Sequence, residues 1–279
     1  MHRHCGEESF FPTIFKEATM SKGPATFADM RSTVWDYAWK EVGVERGGPI
    51  PGIKEKLLAW DPENGTYSRI VLFEPGFKFA KALKHPFWEE LIVLDGHVYD
   101  YGSNRLCTKG FYALRPAGVE HGPFGTDLGA TVLEITWHDE SYYTKKKKDV
   151  LGKSPATFAD MRSTVFDYAW DEVGAQRGGP IPGIKEKLLA SDPQTGTYSR
   201  LVIFEPGFKF SRALNHPFWE ELFLMEGHMV DYGTNTLYTK GGYALRPAGI
   251  DHGPFGTDIG CTLLEITWQD GTHYQSKLS

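Results

Sequence analysis

The amino-acid sequence predicts an all-β protein made of two copies of one small β-barrel. The block that begins at Pro24 begins again at Pro155, and the match continues to Asp139 and Asp270. Roughly three quarters of the paired positions are identical, and so long a period indicates two whole domains rather than a solenoid of short repeats. Within each copy, short runs of β-branched and aromatic residues are separated by Gly and Pro turn signals, which is typical of a β-sandwich or barrel.

The strands are predicted in chain order from these runs. In the first copy they lie at 67–73, 91–94, 97–101, 110–114 and 130–137, with turns at 61–65, 74–76, 95–96, 102–104 and 116–118. The segment 35–42 is compatible with a single helical turn, and the sequence contains no long amphipathic helix.

The duplication also sets the expected domain boundaries. We expect an N-terminal arm at 1–23, a first domain at 24–144, a linker at 145–154 and a second domain at 155–279. A copy of this size can bury its own core. We expect the two barrels to pack as a pseudo-dimer within one chain, and whole chains are candidates for a homo-oligomer.

Composition places the chain among ordinary soluble proteins. Charged residues make up 24% of the chain and the net charge is -6, which does not favour nucleic-acid binding. No apolar run approaches the roughly 18 residues of a membrane span. The three cysteines do not recur between the copies, so we predict no disulfide framework and a cytoplasmic location.

One pattern of candidate metal ligands occurs in both copies. The first copy contains His85, Glu89, His97 and His121, and every one of these residues is kept 131 positions later. Imidazoles and a carboxylate set between glycines that bend strands are suited to a divalent metal inside a barrel. The counterparts in the second copy are His216, Glu220, His228 and His252.

The same region resembles the two signature motifs of the cupin superfamily. Glu89 is followed after six residues by Gly96, and Gly110 is followed by Pro116, Gly118 and His121. The wider run of residues from Pro51 is similar to the ChrR-like cupins. The resemblance implies two tandem jelly-roll barrels. That group includes iron dioxygenases that cleave β-diketones or hydroxyacetophenones, and the zinc-binding half of certain anti-sigma factors.

The chain departs from the usual cupin motif at one ligand position. Cupins usually carry an imidazole two residues before His85, where this chain has Leu83, and Leu214 takes the same place in the second copy. The resemblance then leaves one metal site per domain. The sites are His85, Glu89 and His121, and His216, Glu220 and His252.

Other residues near this motif are open to more than one interpretation. A fourth ligand from His97 and His228 is as compatible with the sequence as a role for them in binding the substrate. Glu90 and Glu221 alternate to the opposite face from the ligand carboxylates, so we expect them to support the ligands or to face solvent.

Several functions are compatible with these ligands. A set of two His and one carboxylate favours Fe(II) with open positions for substrate and dioxygen. The chain would then be a dioxygenase that cleaves a C–C bond in a β-diketone or hydroxy-ketone. The alternatives are a non-catalytic Zn(II) cupin that senses a small molecule or metal, and a metal-dependent isomerase or lyase. In each case the expected partner is a small molecule.

Overall fold

The computed structural model describes residues 23–24, 38–138, 153–155 and 169–269. The all-β prediction is confirmed, since the described elements are strands and two 3-10 helices of three residues each, Val44–Arg46 and Ala175–Arg177. The strands are β1 (Gly23–Pro24), β2 (Lys40–Glu41), β3 (Ile53–Trp60), β4 (Tyr67–Phe73), β5 (Lys78–Phe79), β6 (Trp88–Asp100), β7 (Arg105–Thr108), β8 (Tyr112–Arg115), β9 (Phe124–Gly125), β10 (Ala130–Trp137), β11 (Ser154–Pro155), β12 (Asp171–Glu172), β13 (Ile184–Ser191), β14 (Tyr198–Phe204), β15 (Trp219–Asp231), β16 (Thr236–Thr239), β17 (Tyr243–Arg246), β18 (Phe255–Gly256) and β19 (Cys261–Trp268). No described helix is both long and apolar enough to cross a bilayer.

Each copy folds as a jelly-roll barrel around one long strand. In the first copy, the N-terminal part of β6 pairs with β10 and β8. Its C-terminal part pairs with β7 and β9, so the same strand belongs to both layers of the barrel. Strand β15 takes the same place in the second copy, between β19 and β17 and then beside β16 and β18.

The predicted turn at 95–96 is wrong, because the chain continues through it as one strand. The pairing with β10 skips one residue between Val93 and Asp95, which defines a β-bulge. Gly96 has φ +73, and a Cβ at this position would lie 2.2 Å from the carbonyl oxygen of Gly129. The glycine therefore permits a bend and a close backbone approach within β6, rather than a reversal of the chain.

Strand β3 was not among the predicted strands, because charged residues interrupt its apolar pattern. Glu55 and Lys56 are almost fully buried, and they are stabilised by partners from elsewhere in the barrel. Arg46 and Arg69 donate to the carboxylate of Glu55, and the ammonium of Lys56 lies 4.7 Å from the ring centre of Trp39.

The helical turn considered for 35–42 is absent from the part that the structure describes. Lys40 and Glu41 form β2 and pair with Glu55 and Lys54 of β3. Residues 35–37 lie outside the described ranges.

The two barrels share one hydrophobic core, as expected for a pseudo-dimer. Buried residues of both copies form a single cluster that includes Ile92 and Leu133 of the first barrel and Phe223 and Leu264 of the second. These residues lie on the outer faces of the two sheets. The sheets are therefore covered on both faces, which explains why their strands contain few exposed positions.

A polar network crosses this apolar interface around Glu90. The hydroxyl of Tyr112 donates to its carboxylate at 2.7 Å and the indole of Trp137 at 3.2 Å. Ser199 of the second barrel donates as well. The ammonium of Lys153, from the segment between the barrels, donates to Glu90 at 2.6 Å and to Ser199 at 2.8 Å.

The expectation that Glu90 and Glu221 support the metal ligands or face solvent is wrong. Both are at most 1% exposed, and both bind the opposite barrel, since Ser68 donates to Glu221. Alternation does place them opposite the ligand carboxylates, as predicted, but that face is covered by the second domain. Sequence reasoning missed this because it treated each barrel by itself.

The substitution Glu90→Gln should destabilise the protein by about 3–5 kcal/mol, because it leaves the buried ammonium of Lys153 without its counter-ion. Urea unfolding monitored by fluorescence measures this. The double variant Glu90→Gln with Lys153→Met should recover part of the loss.

The exposed pair Lys240 and Glu226 offers a matched control, since its atoms also lie 2.6 Å apart but its side chains are 56% and 65% exposed. Glu226→Gln should change stability by less than about 1 kcal/mol. Equal losses from Glu90→Gln and Glu226→Gln would contradict the assigned role of the network.

Candidate metal centres

Two loops and one strand bring the predicted ligands together in each barrel. Glu89 lies on β6, on the face opposite Glu90, while His85 precedes that strand and His121 follows β8. The loops are joined by backbone hydrogen bonds in both directions between Leu83 and His121, at 2.8 and 3.0 Å. The Gly118 N–H also donates to the His85 carbonyl at 2.9 Å. The backbone therefore sets the positions of both imidazoles.

The first triad has the dimensions of a slightly expanded metal site. Nε2 of His85 lies 3.6 Å from Oε1 of Glu89, and Nε2 of His121 lies 3.7 Å from Oε2. The three residues offer ligand atoms that all lie within 4.8 Å of one another. Metal bonds of about 2.1 Å would hold ligand atoms about 3–3.4 Å apart, so the two His–Glu distances exceed that range by only a few tenths of an ångström.

The second triad repeats this geometry with its own side chains. Nε2 of His216 lies 3.5 Å from Oε1 of Glu220, and Nε2 of His252 lies 3.7 Å from Oε2. The four imidazoles and two carboxylates are thus brought together as two separate groups, one per domain.

Hydrogen bonding orients the imidazoles toward the centre of each site. The Nδ1 atoms of His85 and His121 lie 3.0 and 3.3 Å from the carbonyl oxygens of Phe87 and Val119. These contacts assign the proton to Nδ1 and leave the lone pair on Nε2. Among the described residues, no hydrogen-bond partner reaches the buried Nε2 of His85, His216 or His252. A buried acceptor without a partner is what a metal would satisfy.

Electrostatics keep the ligand carboxylate ionised before any metal binds. Burial raises the pKa of Glu89, but neighbouring positive charge, that of Arg115 above all, outweighs it and holds that pKa well below its usual range. Arg115 lies opposite Glu89 on β8 and donates to Oε2. Burial lowers the pKa of His121. For His85, burial is outweighed by the neighbouring carboxylate, so its pKa is raised.

A second polar group, not foreseen from the sequence, lies beside the triad in the same cavity. Tyr67 donates to Glu134 at 2.7 Å, and Nε of Arg69 donates to the same carboxylate at 2.8 Å. Arg69 also donates to Glu55 at 3.1 Å. The signal was available, because Tyr67 and Arg69 are two residues apart on one strand and recur as Tyr198 and Arg200 in the second copy.

His97 and His228 do not belong to either ligand group. His97 lies eight residues beyond Glu89 along β6, roughly 25 Å at about 3.3 Å per residue. The bulge at Gly96 also changes which side chains face inward. Leu91 and Val93 line the cavity before it, whereas Val98 and Asp100 do so after it. His97 therefore faces away, and the alternation used to place it inward is reset by the bulge.

The first barrel contains a cavity of 390 Å³ that reaches the metal ligands. His85, Glu89 and His121 lie in its wall, and so does Arg115. Leu83, which replaces the usual imidazole, is another wall residue. The remaining wall is mainly apolar, with aromatic side chains from several strands: Phe73, Phe79, Phe87, Phe111 and Phe124. A volume of this size is typical of a small-molecule site.

Comparison with known proteins agrees with this architecture. The family model of the ChrR cupin-like domain matches residues 30–138 and 164–269. No curated protein matches the sequence.

Several solved structures share the fold. A candidate dioxygenase from Nostoc punctiforme superimposes with a TM-score of 0.58 at 17% identity, over 85% of this chain and 79% of that one. AerE from Microcystis aeruginosa gives 0.53 at 13%, over 84% and 98%. A variant of oxalate decarboxylase from Bacillus subtilis gives 0.51 at 15%, over 89% and 79%. At these identities the similarity concerns the fold.

The substitutions His121→Ala and His252→Ala together should abolish metal retention, because each removes one of two imidazole ligands. His121→Ala alone should halve the metal content. Elemental analysis after gel filtration measures the metal bound per chain.

The matched control replaces the histidines that lie outside the triads. His97→Ala with His228→Ala should retain the wild-type metal content. Loss of metal from this control, but not from the His121 and His252 variants, would overturn the ligand assignment.

Proposed function

Because the chain belongs to the ChrR cupin-like family, with both of its domains matched, we propose that it is a metal-dependent dioxygenase of the non-haem Fe(II) type. The proposed substrate is a β-diketone or a related hydroxy-ketone, in which a C–C bond is cleaved. The observation that carries the proposal is the pair of inward Nε2 atoms with one ionised carboxylate, placed beside a cavity of small-molecule size.

The donor set supports iron as the resident metal. Two imidazoles and one carboxylate are the ligands of many oxygen-using Fe(II) sites, and they leave coordination positions open. His85, Glu89 and His121, with their counterparts in the second barrel, would hold the iron, which would supply the redox chemistry with dioxygen and the Lewis acidity that favours an enolate. Leu83 and Leu214 support this interpretation, because an apolar side chain stands where a further imidazole would close one of those positions.

The residues of the cavity would bind and orient the substrate. Apolar side chains such as Phe87 and Leu91 offer a surface for the carbon skeleton and exclude water from the site. Arg115 fixes the ligand carboxylate through its hydrogen bond to Oε2, so Glu89 cannot rotate away from the imidazoles. A divalent ion with a single carboxylate leaves a net positive charge, which favours an anionic oxygen ligand.

The polar group of Tyr67, Arg69 and Glu134 gives one wall of the cavity a fixed structure. Arg69 donates to two carboxylates at once. Burial raises the pKa of Tyr67 well above its usual range, so its hydroxyl keeps its proton and donates to Glu134. A wall whose donors and acceptors already have partners positions a substrate by shape rather than by loose hydrogen bonding.

The proposal predicts that protein purified without chelator contains iron close to two per chain. Iron-loaded protein should take up oxygen when acetylacetone or a hydroxyaryl ketone is added. Oxygen-electrode traces recorded beside elemental analysis test both statements.

Glu89→Gln with Glu220→Gln should lose iron and oxygen uptake together, whereas His97→Ala with His228→Ala should keep both. Zinc in the purified protein, with no uptake after iron reconstitution, would contradict the proposal and favour a zinc sensor or a non-redox isomerase or lyase.

A further inference from the structure

The two barrels keep the same metal ligands but differ in the walls around them. In the first barrel, Val93, Val98 and Val132 line the cavity of 390 Å³. At the same positions the second barrel has the larger side chains Leu224, Met229 and Leu263. All three replacements add length on the inner face of the barrel. A cleft of 20 Å³ lies among these larger side chains, and none of the metal ligands lines it.

The two barrels also carry an aromatic residue at different positions, and this change does not reverse the difference in side-chain size. Cys107 and Phe111 of the first barrel become Tyr238 and Gly242 in the second. A Cβ added to Gly242 would lie 3.4 Å from Cβ and Cδ1 of Tyr238, so the tyrosine ring occupies the region that a side chain at 242 would enter. The aromatic ring is contributed by position 238 instead of position 242, and both residues line the cleft of 20 Å³.

The packing of the core differs in the same direction. The apolar residues around the first cavity form two separate clusters, one with Val93 and Val132 and the other with Ile53 and Phe77. In the second barrel their counterparts form one continuous cluster that includes Met229. Phe73 packs against both clusters of the first barrel, whereas its counterpart Phe204 is itself a buried member of the single cluster of the second.

Two of the metal-site residues are less exposed in the second barrel, whereas the side chains of His85 and His216 are equally exposed at 15%. The side chain of Arg115 is 20% exposed and that of Arg246 is 10% exposed. His121 is 9% exposed, against 5% for His252. Because both barrels belong to one structure, these pairs are compared under identical conditions.

We propose that the first barrel binds a ligand with an aryl-sized apolar body beside its metal centre and that the second barrel excludes such a ligand. Val93, Val98 and Val132 are the residues that set this difference. The identity of the ligand head group, an enolisable dicarbonyl, rests on the proposed function. Both barrels keep their metal ligands, so the difference concerns the bound organic ligand and not the metal.

Calorimetric titration of the Zn(II)-loaded full-length chain with benzoylacetone tests the proposal, because zinc binds without allowing oxygen chemistry. The wild type should bind one benzoylacetone per chain. The variant V93L/V98M/V132L, which copies the second barrel, should bind it at least about tenfold more weakly, as expected when methylene groups fill an apolar pocket. Its zinc content should stay at the wild-type value, which shows that the barrel is folded.

The reciprocal variant L224V/M229V/L263V is the matched control. It should gain a second benzoylacetone site, because it restores the smaller side chains of the first barrel. Two equal sites in the wild type, no binding at all, or unchanged binding in V93L/V98M/V132L would overturn the proposal.

Oxygen uptake by the iron-loaded chain with acetylacetone reports separately on the proposed function. One bound benzoylacetone without any uptake would refute the dioxygenase and leave the difference between the barrels standing. Oxygen uptake together with two equal benzoylacetone sites would support the dioxygenase and refute the difference between the barrels.

Discussion

The N-terminal part of strand β6 is buried on both of its faces, and the alternation of its side chains connects the metal ligands with the domain interface. Glu89 and Glu90 are neighbours in the chain and point in opposite directions. One carboxylate faces the imidazoles inside the barrel, while the other faces the second domain. A shift of one residue in the register of this strand would exchange the directions of the two carboxylates. The triad and the domain interface therefore depend on the same register.

The buried charges of the two carboxylates are compensated in different ways. Glu90 has a protein cation, Lys153, and donors from both domains, so its charge is neutralised within the interface. Glu89 has Arg115 on one oxygen but faces imidazole nitrogens that carry lone pairs. The first arrangement is complete without a metal, whereas the second would be completed by a cation at the centre of the triad. Burial alone therefore does not identify the functional carboxylate. The neighbouring imidazole nitrogens without a hydrogen-bond partner do.

Internal duplication provides a comparison that a single domain cannot. Ligands, bulge glycines and loop hydrogen bonds are the same in both copies, while the differences among inward-facing residues fall on the cavity wall. Leu224 and Met229 take the positions of the smaller Val93 and Val98, which line the cavity of the first barrel. The metal site and the cavity wall have thus diverged to different extents within one chain.

Much of the fold and the ligand triads followed from the sequence, because they depend on local information: the repeat, the alternation of apolar residues, and His and Glu at fixed offsets. Three features did not. The charged strand β3 was hidden because its partners, Arg46 and Arg69, come from other elements. The direction of His97 depended on a bulge that reverses the alternation after Gly96. The role of Glu90 depended on the second barrel covering its face.

The sequence by itself determined two β-domains and their candidate ligands, whereas only the tertiary structure decided which side chains face the cavity and which face the other domain. Those directions follow from strand pairing and domain packing between residues far apart in the chain, which no local pattern specifies.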